Sequence, residues 1–190
     1  MLLWREKLPE TWLPKVRANL PAVLVDHAHL ERKAATAALN MEKYVELHDR
    51  VSELNAIAIE ELQHFELVLR LLRERGVPFG APQRSPWISG MMRAVRKGRR
   101  EQAIDHLVVC ALIEGRSCEK FQMLAQGVRD LDPALADFYA SLVESEGNHY
   151  ATYLIMARHI DLEEAEHRLN YYLDLDAELI REPHTLPILH

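Results

Sequence analysis

The sequence predicts an all-α protein: a bundle of four long helices, with a long crossover between the second and third helices and an extra C-terminal helix. Three observations predict it. The 190 residues are rich in Ala, Leu, Glu and Arg, with only 7 Gly and 9 Pro. Apolar residues recur at helical spacing over four long stretches. The first two stretches are joined by a short connection, which is typical of antiparallel neighbours in a bundle.

The first half of the chain contains the first two bundle helices. A short helix is expected within residues 1–20, and the first long helix from Pro21 to about Leu47. After a short connection near residues 48–50, the second helix should run antiparallel to the first, from about Val51 to Arg75. Gly76 is suited to end it, because glycine accepts the left-handed conformation common at helix C-termini.

The second half begins with one long irregular connection, residues 76–100, in which a short helix is expected around Ser89 to Lys97. The third long helix is expected from about Glu101 to Gly127. An Asp-Pro pair at 132–133 suits the N-cap and first turn of the fourth helix, which runs to about Ile160.

A fifth long helix is predicted over about 161–182, after a bundle that spans about 21–160. Asp161 and Glu164 have the spacing of a capping box, in which each side chain satisfies a backbone amide at the helix start. This helix is acidic on its outer side and carries leucines and a tyrosine for packing on the bundle.

Length and composition indicate one domain, residues 1–190, in a cytoplasmic protein. No apolar run reaches the roughly 18 residues of a transmembrane helix, and the apolar start is too short for a signal peptide. Cys110 and Cys118 lie on one predicted helix, too far apart to bridge, so both are expected to be reduced. The net charge of −6 argues against nucleic-acid binding over the whole surface but allows a local basic patch.

The second helix carries a Glu-x-x-His motif, Glu61 and His64, on its apolar face. A lone buried carboxylate there would be destabilised by the loss of its hydration. Side chains three residues apart in a helix can reach one point, where a metal cation would offset that cost. A single motif of this kind is more often an ordinary surface pair, so its repetition is the stronger evidence.

The second half of the chain repeats the arrangement. Its motif is Glu146 and His149, and a lone glutamate precedes each motif on the helix before it: Glu31 in the first half and Glu114 in the second. In an antiparallel bundle, these donors fall at one level of the core.

The repeated pattern predicts a dimetal centre with six ligands that act in catalysis through the metals: Glu31, Glu61, His64, Glu114, Glu146 and His149. Four buried carboxylates would repel one another unless some stayed protonated. Two divalent cations bridged by carboxylates would remove this repulsion. Oxygen and imidazole ligands favour iron or manganese over a structural zinc.

Two further residues could support the ligands. Glu60 lies one turn before His64 and could hold the second ring nitrogen of that imidazole, although a solvated glutamate is an equal interpretation. His27 lies one turn before Glu31 and could hold that carboxylate, although a buried hydrogen-bonded histidine is the alternative. The remaining histidines are interpreted as structural.

The spaced ligand set resembles that of the ferritin-like diiron carboxylate superfamily over roughly residues 21–160. More narrowly, the strings DHAHLERKAA at 26–35, EELQHF at 60–65 and IEGRSCE at 113–119 resemble the bacterial tRNA hydroxylases that act on 2-methylthio-N6-isopentenyl-adenosine. The resemblance implies O2-dependent hydroxylation of the prenyl side chain on the modified adenosine next to the tRNA anticodon. It implies two iron ions, with manganese as an alternative, and O2 as co-substrate.

Such a reaction needs two external electrons. The sequence contains no Gly-x-Gly-x-x-Gly or flavin-type motif and no four-cysteine electron-transfer site. A separate reductase or ferredoxin is therefore expected to supply the electrons.

The segment 84–100 is a candidate tRNA contact, because it contains six cations and no acidic residue. The cations could neutralise phosphates, and a tryptophan could stack on an exposed base. A solvated charged loop is the alternative, and the resemblance favours RNA. The predicted contacts with the anticodon loop are Arg84, Trp87, Arg93, Arg96, Lys97, Arg99 and Arg100.

The main alternative function is iron handling by a ferroxidase, a storage protein or a peroxide-scavenging relative, since these use the same ligand set. The long basic connection and the fifth helix disfavour a symmetric storage cage. The shortage of cysteines disfavours an appended rubredoxin site. A monomer or dimer is expected for the hydroxylase.

Overall fold

The computed structural model describes residues 4–181 and 188–190, and over these residues the protein is all-α. Seven α-helices follow in chain order: α1 Trp12–Arg17, α2 Leu20–Met41, α3 Val51–Glu74, α4 Pro86–Arg93, α5 Arg99–Gly127, α6 Pro133–Ile160 and α7 Leu162–Arg181. A 3-10 helix, Val45–Arg50, joins α2 to α3. The predicted bundle with a long crossover and an extra helix is confirmed. Residue 182, the expected end of the last helix, lies outside the described residues, and the single domain stays a prediction.

The bundle consists of α2, α3, α5 and α6. Helix α2 packs mainly on α3, and α5 mainly on α6. Two hydrophobic clusters fill its core: one contains Leu54 and Tyr153, and the other contains Leu72 and Tyr139. Along every bundle helix, the residues of the two clusters are separated by buried polar side chains. The bundle therefore has a polar layer across its middle.

Two of the predicted helix boundaries are confirmed by their caps. Gly76 has a φ of 64°. The amide of Gly76 donates to the carbonyl of Arg73, and that of Val77 to the carbonyl of Leu72. This pair of bonds is a Schellman motif, which ends α3. At the start of α6, the side chain of Asp132 accepts from the amide of Leu135 at 2.9 Å.

Helix α2 ends six residues before the predicted position, at Met41 rather than Leu47. The reason is tertiary. Tyr44 is extended and 2% exposed, and its hydroxyl bonds Nδ1 of His106 on α5 at 2.6 Å. Burying this side chain takes the backbone out of the helix.

The short helix in the crossover begins before the predicted position, at Pro86 rather than near Ser89. Ser85 is its N-cap and accepts from the amide of Ile88 at 3.0 Å. Proline at the first helical position leaves no amide without a partner. Beyond the helix, Arg96 donates from its backbone and its guanidinium to Asp105 on α5, so this part of the crossover is ordered.

Helix α7 is tied to the bundle by buried ionic groups as well as by apolar packing. Asp176 of α7 accepts from Arg116 of α5, and Arg168 of α7 donates to Asp105 of α5. At the start of α7, Asp161 caps the amide of Glu164, as predicted. The carboxylate of Glu164 pairs with Arg96 instead of completing the capping box.

Both cysteines, Cys110 and Cys118, are free. Among the described residues, we find no helix that combines the length and the apolar character needed to cross a membrane.

Candidate metal centre

The structure brings all six predicted ligands together in the polar layer of the bundle, and each is buried. Their donor atoms form two overlapping groups, each within 4.8 Å: Glu31, Glu61, His64 and Glu146 in one, and Glu61, Glu114, Glu146 and His149 in the other. Glu61 and Glu146 belong to both groups. This arrangement suits two cations with these two carboxylates between them.

The distances in the first group are those expected around one cation. Nδ1 of His64 lies 3.8 Å from Glu31, 3.9 Å from Glu61 and 3.8 Å from Glu146. Ligands at about 2 Å from a common ion lie roughly 3 to 4 Å from one another. In the second group, Nδ1 of His149 lies 2.7 Å from Oε1 of Glu61, although the two are not aligned as a hydrogen bond.

Four potential donor atoms in this layer are buried but make no hydrogen bond to the described residues, which also favours a bound metal. Within the described residues, Oε1 of Glu61, Nδ1 of His64, Oε1 of Glu146 and Nδ1 of His149 are buried without a hydrogen-bond partner. Buried polar atoms without a partner are destabilising, and few occur in folded proteins. Lone pairs that face one another in this way are satisfied by divalent cations.

The electrostatics of the layer also favour cations. Burial, together with the neighbouring carboxylates, raises the pKa of Glu61 and of Glu146 well above the usual value. Burial raises the pKa of Glu114 to about 7. For Glu31 burial acts in the same direction, but the adjacent His27 outweighs it and lowers the pKa. Two bound divalent ions would allow all four carboxylates to ionise.

The two predicted supporting residues both contact ligands, but one of them contacts a different ligand. Nε2 of His27 bonds Oε1 of Glu31, and its ring stacks on Tyr139 at 5.5 Å. The predicted contact of Glu60 with His64 is wrong: its carboxylate bonds Nε2 of His149 at 3.0 Å. His149 reaches Glu60 across the bundle from α6, and no spacing within α3 could reveal that.

A cavity of about 400 Å³ reaches the centre, with Glu31, Glu114 and Glu146 in its wall. Most of the remaining wall is apolar: Leu30, Ala34, Ala37, Met41, Ile88, Met92, Ile113, Phe121 and Leu189. Small residues of α2 recur at helical spacing beside Glu31, and this pattern could have indicated an open wall. The contributions of α4 and of residues 189–190 had no local signal.

The structure buries one of the predicted RNA contacts, pairs two others with carboxylates and leaves the rest exposed. Trp87 is 1% exposed and donates to Asp176 at 3.0 Å, so stacking on an exposed base is wrong for this residue. Arg96 pairs with Asp105 and Glu164, and Arg100 pairs with Asp161. The remaining predicted contacts are exposed: Arg84, Arg93, Lys97 and Arg99.

Two further cations, Lys33 and Lys43, were not among the residues predicted from the sequence. Both are exposed, and both line the cavity. They lie on and just after α2, outside the basic segment on which the prediction rested. Positive charge therefore borders the cavity itself.

The helical bundle and its buried carboxylate and histidine donors define a ferritin-like protein. A solved structure with the same fold is Protein 43 with aldehyde deformylating oxygenase activity from Synechococcus. It is 30% identical, the match covers 100% of this chain and 96% of that one, and the TM-score is 0.92.

A model of the tRNA-(MS[2]IO[6]A)-hydroxylase (MiaE) family matches residues 2–190, and the chain belongs to this family. Two relatives are named tRNA 2-(methylsulfanyl)-N(6)-isopentenyladenosine(37) hydroxylase. The Pseudomonas putida protein is 41% identical over 150 residues, which cover 78% of this chain and 72% of the relative. The Salmonella typhimurium protein is 32% identical, and the match covers 92% of this chain and 82% of the relative.

Proposed function

We propose that this protein is a non-haem diiron monooxygenase that hydroxylates the isopentenyl side chain of 2-methylthio-N6-isopentenyl-adenosine, next to the anticodon of tRNA. The observation that carries the proposal is the position of the six-donor centre at the wall of an apolar cavity. A cavity of about 400 Å³ is within the usual range for small-molecule groups. The names of both relatives support this substrate.

In this proposal, Glu31 and His64 would hold one metal, and Glu114 and His149 would hold the other. Glu61 and Glu146, which belong to both groups of donors, would serve both metals. Iron is the proposed metal, and manganese is the alternative. When bound, iron supplies the activation of O2, using two electrons from a separate reductase or ferredoxin. Glu60 would orient His149 through its second ring nitrogen, as outer-shell carboxylates commonly do.

The apolar wall would bind the prenyl group and exclude water from the reacting carbon. Binding the prenyl group in this cavity buries apolar surface and holds its terminal carbons beside the centre. The base that carries it would leave the anticodon stack, which costs little in a single-stranded loop. Lys33 and Lys43 at the cavity, with Arg93 on α4, would neutralise phosphates around it. We expect a cytoplasmic monomer or dimer.

One observation favours a second candidate. The Synechococcus protein has nearly the same fold, and its name gives it aldehyde deformylating oxygenase activity. An apolar cavity beside a dimetal centre would also take the alkyl chain of an aldehyde. The exposed lysines of the cavity favour a polyanionic substrate instead. The alternative from the sequence is an iron-storage protein. Its large cage would be recognised by an early elution in size-exclusion chromatography.

The test is hydroxylation of tRNA by the purified iron-loaded protein, with O2, a reductase system and tRNA bearing the prenylated adenosine. Nucleoside mass spectrometry should show the gain of one oxygen atom on that nucleoside. Ala34→Phe should fill the cavity and abolish the gain while iron content stays the same, whereas Ala56→Phe, at an exposed site on α3, should retain it. Deformylation of an aldehyde without any change in tRNA would favour the second candidate.

A further inference from the structure

The cavity wall contains one polar pair that belongs neither to the metal centre nor to the exposed rim. Ser117 and His190 are each 6% exposed, and both line the cavity. Ser117 lies on α5 three residues after Glu114, so their side chains are neighbours at roughly 5 to 6 Å between Cβ atoms. The pair is therefore next to the centre, in a wall that is mostly apolar.

These two side chains are part of a buried hydrogen-bonded chain. Oγ of Ser117 lies 2.9 Å from Nε2 of His190, and Nδ1 of the same ring lies 3.2 Å from Nζ of Lys120. Lys120 is 2% exposed, and no carboxylate of the described residues is within ion-pair distance of it. While Lys120 is protonated, its ammonium group can only donate, so Nδ1 of His190 accepts.

The acceptor role of Nδ1 fixes which atoms donate in the hydrogen bond between His190 and Ser117. Burial and the nearby Lys120 lower the pKa of His190 well below its usual value, so the ring is neutral. A neutral ring that accepts at Nδ1 carries its hydrogen at Nε2 and donates it to Oγ of Ser117. The hydroxyl hydrogen of Ser117 is then left to donate to another group.

Ser117 differs here from other hydroxyls in the helices. Five of them donate to a backbone carbonyl three or four residues earlier: Thr36, Ser89, Ser141, Ser145 and Thr152. Among the described residues, the only hydrogen-bond partner of Ser117 is His190. Its hydroxyl hydrogen therefore has no bond within the described protein and is free to point into the cavity.

Several contacts hold the pair in position. The imidazole of His190 stacks on Trp87, with ring centres 5.5 Å apart. The amide of the preceding Leu189 donates to Asp26 at 2.8 Å. Both imidazole nitrogens are engaged, so the ring cannot turn without breaking a bond. A donor fixed in this way is preorganised for an acceptor in the cavity.

We propose that Ser117, held by His190, forms a hydroxyl-binding subsite that donates a hydrogen bond to the new hydroxyl oxygen on the prenyl side chain. The inference rests on the proposed function and names a residue that distinguishes product from substrate. An unmodified prenyl group offers no acceptor, so Ser117 gains a partner only when the oxygen has been introduced. The product side chain is then bound more tightly than the substrate side chain, and release of the product becomes slower.

Binding of anticodon stem-loops tests the subsite without turnover. Fluorescence anisotropy is measured with iron-loaded protein under nitrogen, using stem-loops that bear either the prenylated or the hydroxyprenylated adenosine. Wild type should bind the hydroxylated RNA about fivefold more tightly, the effect of one net hydrogen bond. Ser117→Ala and His190→Phe should abolish the preference and leave the affinity for the prenylated RNA within about twofold.

Two control variants separate the hydroxyl from its surroundings. Ser117→Thr keeps the hydroxyl and should keep the preference, and Ser141→Ala, on the exposed side of α6, should do the same. A full preference in Ser117→Ala, or equal binding of both RNAs by wild type, overturns the subsite. If wild type binds neither RNA better than an unmodified stem-loop, the proposed function fails instead.

Discussion

At the scale of single residues, Glu60 supports the metal centre through one hydrogen bond to a proposed ligand. Its side chain is 46% exposed, yet it bonds Nε2 of a 3% exposed imidazole, His149. The proposed metal ligand is thereby held in one ring orientation and one tautomer. Loss of such a partner typically weakens metal binding 10- to 100-fold.

We therefore expect Glu60→Gln to weaken iron binding by about tenfold. The amide keeps the size of the side chain but loses the charge that favours the ring hydrogen. Competition with a chelator measures the change. Glu66→Gln, at an exposed position on the same helix, is the matched control and should bind iron as wild type does. Equal affinities in the two variants would contradict the role of Glu60.

Lys120 gives a pH dependence of stability. Burial lowers its pKa to about 7, from an ordinary value of 10.5. Between these values the unfolded chain binds a proton that the folded protein does not, so this group makes stability rise with pH through that window. At pH 7 and below, the buried ammonium group is destabilising.

Lys120→Met should therefore raise Tm at pH 7 by about 3 °C or more. The advantage over wild type should shrink as the pH rises and vanish near the ordinary pKa of lysine, 10.5. Thermal unfolding followed by circular dichroism measures it. Lys7→Met, at an exposed site, should show no such trend. An advantage that does not change with pH would show that the ammonium group is not its source.

At the scale of elements, buried ion pairs hold α7 on the bundle, whereas its sequence suggested apolar packing alone. Asp176 is fully buried and accepts from Arg116 and from the indole of Trp87, at 3.0 Å each. This carboxylate joins α7 to α5 and to α4, whose residues line the cavity. The extra helix thus supports the cavity wall from outside the bundle.

Asp176→Ala should destabilise the protein by about 3 to 5 kcal/mol, because two nitrogens of the buried Arg116 guanidinium and the indole of Trp87 lose their acceptor. Of the described carboxylates, only the partly exposed Glu119 then still pairs with that guanidinium. Asp174→Ala is the control on the same helix. Asp174 pairs with Arg5, but its side chain is 60% exposed, so its loss should cost no more than about 1 kcal/mol. Urea unfolding measures both. Similar losses in the two variants would mean that the buried pair adds nothing beyond a surface one.

At the scale of the whole molecule, charge is distributed unevenly around the cavity. The chain has a net charge of −6, yet Lys33 and Lys43 lie at the cavity and Arg93, Lys97 and Arg99 are exposed on and after α4. A local basic surface on an acidic protein directs a polyanion to one face. Electrostatic binding of this kind weakens as salt neutralises the phosphates.

Charge reversal of both cavity lysines, Lys33→Glu with Lys43→Glu, should weaken tRNA binding by about tenfold or more and reduce its salt dependence. Iron content should not change, since neither side chain is in the donor set. Arg70→Glu, at an exposed site on α3 outside the cavity wall, is the control. Unchanged tRNA affinity in the double variant would place the RNA on another face.

Several features of this protein could be predicted because they depend on local spacing. Helical periodicity placed the six donors on apolar faces, and the repeat between the two halves placed them at one level. Gly76 and Asp132 marked helix ends through bonds to residues at most five positions away. Neither needs knowledge of the rest of the fold, since the geometry of a helix is the same in any protein.

What only the tertiary structure decided are the contacts between distant parts of the chain. Trp87 is buried because it reaches Asp176, 89 residues later, and Glu60 bonds His149, also 89 residues later. Ser117 meets His190 across 73 residues. Each of these contacts depends on how whole helices pack, which no periodicity within one helix encodes. The sequence by itself therefore determined the bundle and its donor set, and helix packing decided the cavity, its polar subsite and the partner of each supporting residue.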